Sequence, residues 1–323
     1  MSTQETAKTL FLEADGTQFA YRLIGNQTPA NSDSPPLLLL NHYRSTIDLW
    51  DPLVVNGLAT SGTGRQVITY DYAGIGHSSG EVKLSIKGFA ADLIAFLLVL
   101  LPTLAGNVTN VDVLGFSVGG YVAQQLVLDA PDLVGKLVLS GTGPSGSLGG
   151  DTPHRRPMAE VQSGIMSPTP DGNATSDAFF PSFIGGRDIG QAWLGRIFSA
   201  RAGIAGTNGE PPFASFLTGP GLLNMTQAYL SWDADSLPYA LLQTIQKDVL
   251  VTAGSNDLVV ATANSFELAR QLPRAKFFMY PSSGHGHLFQ YANFYVQQVS
   301  SFLRGEFPEP RASAGAILPL GRS

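Results

Sequence analysis

Three side chains in this 323-residue chain could together activate an oxygen nucleophile: Ser117, Asp257 and His285. A serine hydroxyl is a weak nucleophile at neutral pH and needs a base to take its proton. An imidazole base in turn needs a carboxylate to fix its tautomer and stabilise the imidazolium. Ser117 stands in Gly115-Phe116-Ser117-Val118-Gly119. A sharp strand-to-helix turn with serine at its tip presses backbone against backbone, so small residues must flank the serine two positions either side. Gly115 and Gly119 meet that demand. As a bare pentapeptide the signal is weak, because glycine and serine recur often. Between the strand-like run ending in Val113-Leu114 and the amphipathic run starting at Tyr121 it is strong. The first amide of that helix, Val118 N–H, points to where charge develops on an attacked carbonyl oxygen.

The base must come from five histidines: His42, His77, His154, His285 and His287. His285 and His287 lie in a loop after the strand expected over 275–280, which suits a group that must reach across strand ends. His285, between Gly284 and Gly286, is the candidate base. His287 is read as a surface-loop histidine. Asp257 closes Gly254-Ser255-Asn256-Asp257 at the end of the strand expected over 247–253, whereas Asp248 stands at the opposite edge. For Asp257 a turn or helix-capping role is the other reading.

The elements that must hold these groups alternate between strand and helix, as a mostly parallel sheet covered by helices requires. Edge strands are expected over 9–13 and 18–23, joined by a turn at Asp15-Gly16. Fully apolar Leu37 to Leu40 reads as a buried strand, followed by a helix over 46–59 and a strand over 66–70. A helix over 85–101, stopped by Pro102, leads to a strand over 110–114, a helix over 121–129 and a strand over 136–140. From 141 the character changes. Glycine- and proline-rich stretches at 141–150, 153–170 and 203–220 surround a helical segment over 188–201, with Ile189, Trp193 and Ile197 at helical spacing. This stripe is either the segment's own packing or a lid over a site. Helices over 264–272 and 293–303 complete the pattern. The expected division is a core of 1–140 and 235–323, a helical insertion over 141–234, and a loose tail over 306–323.

Bulk properties exclude several functions. Hydrophobic residues make up 44% and charged residues 14%, which supports a sizeable core. A net charge of −6 without a basic stripe argues against nucleic acid or an anionic membrane as partner. The chain has no cysteine, so disulfides, thiolate nucleophiles and Cys-ligated zinc are excluded. The N-terminus lacks the apolar core of a secretory signal, and a cytoplasmic location is expected. Four N-x-T sequons, at Asn26, Asn107, Asn173 and Asn224, are read as chance. The apolar run 93–101 is too short to span a bilayer. Nothing calls for a metal, nucleotide or flavin, and the glycine-rich loop at 74–80 does not match a dinucleotide fingerprint. No sequence feature fixes an oligomeric state.

Three further segments match a known pattern: Asn41-His42-Tyr43-Arg44 after the third strand, Asp71-x-x-Gly74-x-Gly76-x-Ser78 after the fourth, and Gly284-His285-Gly286 after the last. With the serine motif they resemble the serine-nucleophile branch of the α/β-hydrolase superfamily, which includes esterases, lactonases and cofactor-free haloperoxidase-like proteins. The resemblance runs from about Leu10 to Leu303 and is weakest in the insertion, where the family carries its cap. It implies an α/β fold, an eight-stranded, mostly parallel sheet with helices on both faces and a helical cap. It also implies a nucleophile elbow at Ser117, the order Ser117, Asp257, His285 along the chain, and a second oxyanion-hole amide at Tyr43 beside Val118. Haloalkane dehalogenases and epoxide hydrolases of the superfamily use aspartate at the elbow, so the serine here argues against an alkyl-enzyme ester.

The chain departs from many relatives by placing Asn41-His42 where they have His-Gly. His42 and Arg44 either point into the pocket, toward a substrate carbonyl or carboxylate, or anchor the loop through hydrogen bonds and a salt bridge. Phe116, Phe179, Phe180, Trp193 and Phe198 are the other pocket candidates, and they suggest an apolar acyl or lactone small-molecule substrate. The implied reaction is hydrolysis of a carboxylic ester or lactone through an acyl-enzyme. A lyase, cyclase, acyltransferase or perhydrolase on the same triad, or a silent ligand-binding receptor, are the alternatives.

Overall fold

The computed structural model describes residues 1–26, 34–60, 65–106, 108–146, 165–167, 172–181, 185–201 and 216–307. Strands Leu10–Ala14 (β1) and Thr17–Ile24 (β2) form the expected hairpin, turned by Asp15 and Gly16 at φ 47° and 72°. An Asp-Gly pair suits such a turn because both central residues must adopt positive φ. Leu37–Leu40 (β3), Val67–Tyr70 (β4), Val111–Phe116 (β5), Val134–Ser140 (β6), Val249–Gly254 (β7) and Ala275–Tyr280 (β8) follow. They assemble in the order β1-β2-β4-β3-β5-β6-β7-β8, antiparallel at the first two pairings and parallel thereafter. The loops bearing His42, Ser117, Asp257 and His285 all leave the C-terminal ends of parallel strands, at one edge of the sheet.

Alternation along each strand sends side chains to two cores. Leu38, Leu40, Val111, Val113, Leu137, Leu139, Val249 and Val251 meet helices Ile86–Leu100 (α2) and Val118–Asp129 (α3) on one face. Leu37, Leu39, Leu114, Phe116, Val138 and Leu250 meet Pro52–Thr60 (α1) and the C-terminal helix Ala292–Leu303 on the other. The insertion contributes Gly172–Phe179 (α4), Gly186–Ser199 (α5) and Gly219–Ala234 (α6). Leu237–Leu241 (α7), Thr262–Gln271 (α8), His287–Gln290 (α9) and Ala292–Leu303 (α10) complete the set. The loops expected at 153–170 and 203–220 and the tail at 306–323 fall mostly outside the described residues.

Several elements differ from expectation. The helix over 46–59 is a single 3-10 turn, Ile47–Leu49, and then α1. Pro52 starts the new helix, where its missing N–H leaves nothing unsatisfied. Helix α3 begins at Val118, three residues early, because Gly119 and Gly120 are helical here. Helix α6 was hidden by the glycine and proline at its start. The segment Ile86–Thr103 has a mean hydropathy of 1.8 and is apolar enough to cross a bilayer by length and composition. Its Ile86, Phe89, Ala90, Leu93, Phe96, Leu97 and Leu100 are buried, with Phe96 against Phe19, Tyr21 and Tyr70. A core helix accounts for that composition.

The β5–α3 junction sets the serine. Ser117 has φ 56° and ψ −120°, a conformation that costs about 1–3 kcal/mol and persists only when its surroundings enforce it. Ser117 N–H donates to Ser140 O at 2.9 Å, and Gly120 N–H donates to Ser117 O at 2.9 Å. A Cβ on Gly115 would strike the carbonyl of Gly119, and one on Gly119 would strike the carbonyl of Leu40. Strand, turn and helix therefore touch through main chain alone.

A second buried structure fastens the neighbouring loops. Asp48 pairs with Arg22 at 2.5 Å, with Arg201 at 3.1 Å and with His77 Nε2 at 3.0 Å. Beside it, the Asp71 carboxyl accepts from Ile47 N–H at 2.8 Å and His77 N–H at 3.1 Å. Burial, reinforced by the Asp48 charge, pushes Asp71 up to about 7.

These features give two expectations. Gly119→Ala should destabilise the fold by about 3 kcal/mol, the upper range for overpacking, read as a fall in urea midpoint at constant slope. A wild-type midpoint would refute the backbone-contact account. Asp71 binds its proton in the fold but not in the unfolded chain between about pH 4 and 7, so its contribution to stability falls as pH rises through that window. Asp71→Asn should flatten the Tm-versus-pH curve there, and an unchanged slope would show that Asp71 is ionised in the fold.

Candidate active site

The sheet brings Ser117, Asp257 and His285 to one edge with the imidazole already oriented. Asp257 Oδ2 accepts from His285 Nδ1 at 2.8 Å, and both side chains are fully buried. Asp257 Oδ1 accepts from the amides of Val259 and Val260, each at 2.9 Å. The turn-capping role and the pairing with histidine are thus held by opposite oxygens of one carboxylate. A carboxylate only accepts, so Nδ1 carries the ring proton and Nε2 presents a lone pair. His285 Nε2 is buried and has no hydrogen-bond partner among the described residues. Ser117 Oγ is accordingly not bonded to it, and the hydroxyl lines a pocket instead. Such contacts often tighten only when substrate is bound.

His287 is not a surface residue. It is fully buried, with Nε2 2.9 Å from Thr252 Oγ1 and Nδ1 donating to His285 O at 3.2 Å. Thr252 Oγ1 lies 2.9 Å from Ser140 Oγ, which lies 2.5 Å from Tyr295 OH. This polar chain runs under the site, from the backbone of His285 to the strand residue whose carbonyl holds Ser117 N–H. Burial and the neighbouring His285 depress His287 to about 3, so it is neutral.

The loop after β3 supplies the facing wall. Asn41 fastens it: Nδ2 donates to Tyr70 O at 3.1 Å, and Oδ1 accepts from Trp50 Nε1. The next residue, His42, is buried, with Nδ1 3.0 Å from Tyr43 O. Tyr43 OH bonds Thr226 Oγ1 of α6 at 2.5 Å. Because Gly119 abuts Leu40 and Asn41, the start of α3 sits against this loop, and neither Val118 N–H nor Tyr43 N–H has an acceptor among the described residues.

Arg44, at φ 66°, reaches into the insertion. Its guanidinium donates to the carbonyls of Ile165 at 2.6 Å, Ser167 at 2.8 Å and Leu217 at 3.0 Å. It anchors through main-chain carbonyls, and among the described residues it makes no salt bridge. Asp51 and Arg196 form a further tie between core and insertion, at 2.7 Å.

The pocket on which Ser117 opens is lined by Tyr43, Val118, Tyr121, Ile165, Met166, Tyr229, Val259 and Val260, and has a volume of about 50 Å³. No charged side chain is among these residues. The aromatic candidates lie elsewhere. Phe116, Phe180 and Trp193 are fully buried and Phe179 nearly so. With Phe289 they form a packed aromatic cluster behind His285, while Phe198 packs on Phe216. Helices α4 and α5 close onto the α9 side of the core, so their rings become core filling. The wall facing the serine comes from α6 and residues 165–166. Tyr121 was within reach of sequence reasoning, since it lies one helical turn after Ser117. Ile165, Met166 and Tyr229 carry no local signal, because only the return path of the insertion places them.

Comparison with known proteins agrees with this architecture. The family model described as alpha/beta hydrolase fold matches residues 35–290. An alpha/beta hydrolase fold protein from Chitinophaga pinensis superposes with a TM-score of 0.77 at 30% identity, covering 94% of this chain and 99% of that one. RutD of Caulobacter vibrioides, named for carbamate hydrolysis, is 26% identical over 242 residues, 74% of this chain and 80% of its own. A pimeloyl-[acyl-carrier protein] methyl ester esterase of Nitrosomonas europaea is 26% identical over 273 residues, 84% of this chain and 95% of its own. With the sheet order, the elbow and the match across most of its length, the chain belongs to the α/β-hydrolase fold family.

Proposed function

We propose that this protein is a serine hydrolase that cleaves a neutral carboxylic ester or lactone through an acyl-enzyme, with Ser117 as nucleophile, His285 as base and Asp257 as the orienting acid. The observation that carries this reading is the buried Asp257–His285 pair, which leaves Nε2 as a lone pair on the sheet edge where Ser117 is held in a strained turn. His285 takes the Ser117 proton as Oγ attacks the carbonyl carbon. Val118 and Tyr43 amides donate to the oxyanion. His285 then protonates the leaving alcohol, and water repeats the sequence on the acyl-enzyme.

The pocket lining argues for an uncharged acyl part, because a substrate charge buried among Tyr121, Met166, Tyr229, Val259 and Val260 would have no charged partner among the described lining residues. The esterase among the relatives supports an ester, and the carbamate hydrolysis for which RutD is named is a related acyl chemistry.

Ser117→Ala should lower turnover of p-nitrophenyl butyrate by about 10⁴-fold or more while circular dichroism stays that of wild type. The wild-type protein should form a one-to-one fluorophosphonate adduct on Ser117. Full activity in the alanine variant would falsify the assignment. In ¹⁸O-water the product acid should carry label, and a product without it would point to an isomerising or acyl-transferring enzyme. Val260→Phe should cut kcat/KM for long-chain esters about tenfold relative to acetate, as one misfitted contact in an apolar pocket does. An unchanged chain-length profile would move the acyl group out of this pocket.

A further inference from the structure

Two imidazoles share one pair of phenyl rings beside the serine. His285 lies 4.9 Å from Phe116 and 4.9 Å from Phe179, centroid to centroid, and His42 lies 5.3 Å from each. The two histidines thus flank the same ring pair, close enough for His285 to lower the His42 pKa. Burial, with a further contribution from His285, depresses His42 to about 3, so it is a neutral ring under ordinary conditions. Its Nδ1 lies against the carbonyl of Tyr43. A carbonyl only accepts, so Nδ1 is protonated and Nε2 is a bare acceptor. His285 reaches the same tautomer through Asp257.

Both Nε2 atoms are buried, and neither has a partner among the described residues. For His285 the proposed reaction supplies one: Ser117, and then water. His42 Nε2 has no such role in acylation. A buried acceptor without a donor is costly, and the structure keeps this one within a residue of a proposed oxyanion amide.

We infer that His42 is a positioning residue for the water that hydrolyses the acyl-enzyme. Water has two hydrogens, and two open imidazole acceptors lie beside one phenyl pair. One O–H donates to His285 Nε2 and the other to His42 Nε2, which fixes the direction of the oxygen lone pair. His285 takes the first proton as the water oxygen bonds to the acyl carbon. The Ser117 Oγ–carbon bond then breaks, the proton passes from His285 to Oγ, and the carboxylic acid leaves. The second hydrogen stays on the product, and His42 is neutral throughout. This inference rests on the proposed acyl-enzyme.

The test separates the two half-reactions. Rapid mixing with p-nitrophenyl butyrate gives the acylation rate, and intact mass gives the decay of butyryl-Ser117. In His42→Phe, which keeps the ring contacts and removes both the Nε2 acceptor and the Nδ1 donor to Tyr43 O, acylation should stay within about threefold. Decay should slow about tenfold, the worth of one hydrogen bond. A burst of p-nitrophenol should appear, and hydroxylamine should release the acyl group at the wild-type rate. His42→Gln, whose Oε1 can stand near the position of Nε2, should recover most of the decay rate. If the Phe variant does not fold, His42→Ala is read in the same way. Parallel loss in both half-reactions, no loss in either, or no recovery with glutamine overturns the inference. A wild-type protein that forms no fluorophosphonate adduct overturns the proposed function and this inference together.

Discussion

The structure turns on one close approach of main chain to main chain. Strand β5 cannot deliver Ser117 into helix α3 at this angle unless Gly115, Gly119 and the carbonyl of Leu40 meet with nothing between them. That contact holds the serine at a positive φ, which an unsupported serine would not keep. It also sets the start of α3 against the end of β3, and so places the amide of Val118 beside the loop of Tyr43. The proposed nucleophile and the proposed oxyanion donors are therefore not separately positioned. They follow from the same absence of two side chains.

Around this point, several buried polar groups are tied to one another. Asp257 spends one oxygen on His285 and the other on two amides. Beneath them, His287, Thr252, Ser140 and Tyr295 form a continuous chain. A hydrogen bond in such a low-dielectric interior is stronger than in water, and a missing one is correspondingly costly.

Much of this was legible in the sequence, for physical reasons that differ by residue. The apolar run Leu37 to Leu40 can only be a buried strand, and Asp15-Gly16 can only turn tightly. Ser117, Asp257 and His285 could be singled out because each requirement is local: small neighbours for the serine, a strand end for the acid, a glycine-flanked loop for the base. His287 was misread because its burial depends on Thr252, on another strand, and on Tyr295, which the following helix folds back over it. Trp193 and Phe179 were misassigned for a related reason. Their spacing shows an apolar face, but not whether that face meets a ligand or Phe289. The start of α3 was placed late because glycine normally weakens a helix, whereas here tertiary contact demands it. The pocket wall from Ile165, Met166 and Tyr229 lay beyond reach, since a fold-back of the chain brings it to Ser117.

The attachment of the insertion has a consequence for how such a protein can change. Arg44 grips the carbonyls of Ile165, Ser167 and Leu217, and Arg201 grips those of Gln4, Glu5 and Ala7. A carbonyl is the same whatever side chain its residue bears, so these clamps are blind to the identity of the wall they hold. Ile165 can be exchanged for another residue without loosening the grip on its backbone. The molecule thus separates fastening from selectivity: the lining beside Ser117 can be rewritten, one side chain at a time, while the frame that carries it stays fixed.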